Sequence, residues 1–120
     1  LHGPHLALVT NQKEFDRLCK LNGLECDEPY VRQGWQACTH SWRRPKYGDV
    51  MCLVGIDMDM ADEMEPVDVA ALIVHESVHV WQEARDMIGG EPGKELEAYA
   101  IQNISSELMK AYLKAKERRK

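Results

Sequence analysis

A chain of 120 residues supports one modest core and is too short for two, so a single domain spanning 1–120 is expected. Apolar residues make up 44% and charged residues 29%, the balance of an ordinary globular domain, and a net charge of −5 leaves no broad basic field to neutralise nucleic-acid phosphates. No apolar run approaches the roughly 18 residues of a membrane span and no signal peptide is visible, so neither nucleic acid nor membrane is expected as a partner.

Along the chain, "HLALVT" (5–10) alternates as a short strand. Asn11 with Glu14 three residues on resembles a capping box, and the helix "KEFDRLCKLNG" follows, stopped by Gly23. Residues 23–34 carry Gly, Asp and Pro and read as a loop. "WQACTHSW" (35–42) alternates as a second strand, "RRPKYGD" turns the chain, and "VMCLVGID" (50–57) is a nearly continuous apolar strand covered on one or both faces. "MDMADEMEP" (58–66) reads as an acidic loop, since the glycine and final glutamate of an EF-hand are missing at the required offsets.

Pro66 and Asp68 suit a helix start, and "VDVAALIVHESVHVWQEARDMI" runs helical until Gly89-Gly90. Its segment "VAALIV" is apolar all round, which predicts a central helix. Pro92 opens a last helix over 94–119, whose tail "KAKERRK" reads as a solvated helix end. The order strand, helix, strand, strand, helix, helix predicts an α+β domain. Four cysteines, Cys19, Cys26, Cys38 and Cys52, form no C-x-x-C pair, and idle or buried thiols in a reducing cytosol are the expectation.

The stretch "VHESVHVWQE" (74–83) carries the chemistry. Residues four apart on a helix stack on one face, so His75 and His79 present two imidazoles about 6 Å apart, able to grip one Zn²⁺ at about 2.1 Å each. Glu76 is turned about 100° from His75, where it does not ligate easily but can hold water at the metal's open position and take its proton. H-E-x-x-H is therefore a hydrolytic motif as well as a binding one. An apolar helix is also a costly place for polar side chains with no task.

"HESVHVWQE" followed by "ELEAYAIQ" resembles the H-E-x-x-H zinc metallopeptidases, in particular the glutamate-ligand gluzincins, and is similar to small single-domain peptidases of phage and prophage origin. The resemblance is strong from His75 to about Gln102; upstream only the strand-before-helix order agrees. It implies a minimal zincin-like domain: a small mixed β-sheet whose edge strand runs along the cleft, a central zinc helix and a following glutamate-bearing helix. It further implies one Zn²⁺ per chain, His75 and His79 as ligands, Glu76 as general base, and hydrolysis of peptide bonds in a peptide or protein substrate by zinc-activated water. The bacterial cytoplasm, of host or phage-encoded origin, is the implied location.

A catalytic zinc needs a third protein ligand and an open fourth position. The remaining histidines, His2, His5 and His40, all lie upstream, which leaves Glu91, Glu95 and Glu97. Chain reach excludes neither Glu95 nor Glu97. Helical phase puts Glu95 on a face with Ala98, Tyr99 and Gln102, and Glu97 on a stripe with Ile101, Ile104 and Leu108 that suits a core seam. Related families commonly show E-x-x-A, matching Glu95 to Ala98, although Tyr99 stands where many carry Asp or Asn. Glu95 is therefore the chosen ligand, with Glu97 the alternative. Tyr47 and Tyr99 are possible oxyanion donors but better suited to packing.

Two other classes compete. Peptide deformylases join H-E-x-x-H to a strand cysteine, which Cys52 would mimic, but their glycine-rich "GxGLA" and "EGCLS" segments are absent. A zinc-stabilised binding module would close the site with four protein ligands. The cleft walls are expected from "VMCLVGID", the acidic loop, and Trp35 or Trp42, around a shallow opening suited to an unfolded segment.

Overall fold

The strand "DVMCLVGI" is apolar almost throughout because it is covered on both faces. Val50, Cys52, Val54 and Ile56 point into the larger core, while Leu53 points into a smaller one with Val9, Phe15 and Cys19. The computed structural model describes residues 5–88 and 93–120, and in it this strand is the middle of three. The elements are β1 (His5–Val9), α1 (Gln12–Leu21), β2 (Ala37–Arg44), a 3-10 turn (Pro45–Tyr47), β3 (Asp49–Ile56), α2 (Met58–Asp62), α3 (Pro66–Ile88) and α4 (Lys94–Arg118). The sheet order is β1-β3-β2, with β1 parallel and β2 antiparallel to β3. This is a mixed α+β domain in three layers: α1 and the loop after it, the sheet, then α3 and α4. No helix among the described residues is long and apolar enough to cross a membrane.

The α1 cap forms as the spacing predicts, with Asn11 Oδ1 accepting from Glu14 N at 2.8 Å. Three expectations change. β2 begins two residues later and runs on through Arg43 and Arg44, because Arg44 pairs in register with Asp49 of β3. The acidic stretch is not wholly loop. Asp57 caps α2 by accepting from Met60 N at 3.0 Å, and Met58 and Ala61 bury beneath it. Nor is α3 covered all round. Val69, Ile73 and Val80 are buried, yet Val67 and Val74 are 72% and 45% exposed, because the sheet and α4 together enclose only part of the helix. Gly89-Gly90 and Pro92, read as helix punctuation, lie outside the described residues.

The loop between α1 and β2 is pinned to the sheet rather than draped over it. His40 Nε2 meets the Tyr30 carbonyl at 2.8 Å, Trp42 Nε1 donates to Glu25 O at 2.8 Å, and Gln12 Oε1 accepts from Tyr30 N at 2.9 Å. A Cβ on Gly55 would sit 2.3 Å from the Tyr30 carbonyl oxygen, so only glycine lets the loop lie this close to β3.

At the other end of β3, Arg44 grips Asp49 through two nitrogens at 2.8 and 2.7 Å, and His5 Nε2 stands 3.0 Å from the same carboxylate. The Arg44 hydrogen bonds hold the Asp49 carboxyl below its ordinary value of 3.8. A depressed carboxyl pKa stabilises the fold above the unfolded value, and that contribution is lost as pH falls through the folded one. Lowering the pH from 7 to 3 should therefore reduce the urea midpoint more in the wild type than in Asp49→Asn. Equal acid sensitivity in the two proteins would contradict this.

Candidate metal centre

α3 divides its residues between a buried face and an open one. Its buried arc carries Val69, Ile73, Ser77, Val80, Trp81 and Ala84, and the opposite arc carries His75 and His79. These two open on a cleft of about 1010 Å³ between α3 and β2. Their Nε2 atoms are 3.3 Å apart. Two ligands about 2.05 Å from a tetrahedral ion stand about 3.4 Å apart, so the pair is already spaced as two legs of one zinc site. Gln82 Oε1 lies 3.3 Å from His79 Nδ1. An acceptor there suits a proton on Nδ1, leaving the Nε2 lone pair facing the cleft.

Glu76 is handled differently. It falls toward the buried arc and is only 5% exposed. Its Oε1 accepts from the Thr39 hydroxyl at 2.8 Å, and its Oε2 lies 4.0 Å from His75 Nε2. A carboxylate with one oxygen tied down and the other beside the imidazole pair can hold or take a proton at that oxygen. Two imidazoles with a carboxylate alongside supply two of the three protein ligands that a catalytic zinc would need.

The third ligand is not assembled. Among the described residues no three His, Cys, Asp or Glu side chains gather as a metal-holding group, so Glu95 is not brought to His75 and His79. The reason lies in how α4 docks. Ile104 and Leu108 bury in the core, and Glu97 Oε2 accepts from Trp81 Nε1 at 3.0 Å. Trp81 sits about 200° round α3 from His79, so this bond holds the first turn of α4 against the side facing away from the pair. Glu95, two residues earlier, is exposed there. Glu91 lies outside the described residues.

The cleft walls include the expected stretch 58–66 and Trp35 but not the strand 50–57 or Trp42. β3 is the central strand and lines none of the cleft; Ala37, Thr39 and Ser41 of the edge strand β2 do. Met60, Met64, Leu72 and Trp35 supply apolar lining. Trp42 is on the other side of the sheet, packed with Phe15 and His40. Arg43 of β2 reaches across to α3, to Glu83 at 3.3 Å and Asp86 at 2.8 Å. Cys52, the deformylase-like candidate, is fully buried in the main core, where desolvation pushes its thiol up to about 12. Tyr47 and Tyr99 are exposed and line no part of the cleft.

Thr39 carried no signal of its own in the sequence. The alternation of "WQACTHSW" puts it on one face with Ala37 and Ser41, but only the packing of β2 on α3 says that this face meets Glu76. Comparison with protein-family models, curated proteins and solved structures finds no match for the chain.

Proposed function

We propose that the chain is a zinc-dependent metallopeptidase on a minimal zincin-like domain, hydrolysing peptide bonds in extended segments of peptide or protein. The observation that carries this reading is the pair of Nε2 atoms 3.3 Å apart, opening on a cleft beside a carboxylate oxygen 4.0 Å from one of them. His75 and His79 would hold one zinc ion. We assign the third ligand to Glu95, whose exposed side chain makes no bond of its own among the described residues, and this ligation requires the first turn of α4 to swing from where Trp81 holds Glu97 toward the histidines.

Zinc, when bound, supplies Lewis acidity toward water and toward a carbonyl oxygen. The chain's own groups do the rest. Glu76 takes a proton from the attacking water at Oε2 and returns it to the departing amine nitrogen as the C–N bond breaks. The outer edge of β2 pairs with no strand among the described residues, so its backbone groups can receive an extended segment across the cleft. The methionine lining suits an apolar side chain of that segment.

Protein purified without chelator should carry one zinc per chain by plasma emission and should cleave casein. Removing the metal should abolish cleavage, and restoring zinc should return it. Cleavage undiminished in stripped protein would refute the reading. Full zinc occupancy without hydrolysis of any unfolded substrate would favour a binding module instead.

A further inference from the structure

We propose that Thr39 is a positioning residue for the Glu76 base, a role that rests on the peptidase reading above. The carboxylate of Glu76 belongs to a helix and is mostly covered, while its donor belongs to the edge strand across the cleft floor. A carboxylate has no hydrogen to give, so in the 2.8 Å contact the hydroxyl donates and Oε1 accepts. That engages one oxygen and leaves Oε2, 4.0 Å from His75 Nε2, as the one facing the reaction. Thr39 thereby selects which oxygen serves as base.

The hydroxyl is itself well fixed. Thr39 pairs with Val54 in the sheet ladder, and Val54 is 2% exposed, so the backbone carrying the hydroxyl is set by the core. A β-branched side chain has few χ1 states, which restricts the hydroxyl further. Glu76 has three rotatable bonds and no such restriction of its own. Ser41 also lines the cleft from β2, two residues along, but only Thr39 bonds Glu76.

A purely structural bridge between β2 and α3 would show the same distance, so the test separates the two roles. Thr39→Val removes the hydroxyl at nearly constant shape, and Thr39→Ser keeps it. In metal-free protein, Thr39→Val should lower the folding equilibrium constant roughly ten- to a hundredfold with Glu76 present, and much less in the Glu76→Ala background. In the zinc-loaded protein Thr39→Val should lower kcat by about 10- to 100-fold with KM unchanged, and Thr39→Ser should restore most of it. Equal stability losses in both backgrounds, or an active wild type with kcat unchanged in Thr39→Val, would overturn the role of Thr39 alone. A zinc-loaded wild type that hydrolyses no peptide overturns the peptidase reading, and this role with it.

Discussion

Glu76→Gln should fold and keep its zinc while losing hydrolysis by about 10²- to 10⁴-fold, the range a general base contributes. The substitution is nearly isosteric, and the amide oxygen can still accept from Thr39, so the frame around the side chain is preserved. What disappears is the proton acceptor beside His75, replaced by an NH₂ that can only donate. Stability should hold or rise, because a carboxylate only 5% exposed loses hydration on folding that an amide loses less of. The measurements are zinc by plasma emission, a urea midpoint, and kcat on an unstructured peptide. Undiminished kcat with zinc in place would remove Glu76 from the role of base.

The parts of this arrangement that follow from periodicity are legible in the sequence alone. Four-residue spacing puts His75 and His79 on one face, and the same arithmetic separates Glu76 from them and Glu97 from Glu95. The continuous run in β3 implies a strand covered on one or both faces, and both are covered, while the stripe of Ile104 and Leu108 does enter the core. Strand order is not a periodic property. Nothing local in "VMCLVGID" says that β1 and β2 flank it, which is why it looked like a cleft wall and proved to be the middle strand. α2 was hidden because its acids suit loop and helix start equally, and the Asp57 cap decides between them. Thr39 and Trp81 act through partners 37 and 16 residues away in the chain, so their roles depend on how layers dock.

His75→Ala or His79→Ala should lower zinc affinity by more than the roughly 10- to 100-fold typical of losing a group that only supports a ligand. Each leaves one imidazole of a pair whose spacing matches a single ion. The glutamates divide on the same measurement. Glu95→Gln should weaken zinc binding and leave metal-free stability within about 0.3–1 kcal/mol, the worth of an exposed acid in a helix's first turn. Glu97→Ala should keep the zinc but cost about 1–3 kcal/mol, because the indole N–H of a tryptophan only 4% exposed loses its acceptor. Competition with a graded series of chelators reads the first effect, and urea unfolding of stripped protein reads the second. If Glu97→Ala releases the metal with its fold intact while Glu95→Gln retains it, the ligand assignment is wrong. Glu97 would then exchange its bond to Trp81 for the metal, whereas ligation by Glu95 moves the same first turn of α4 without using Glu97.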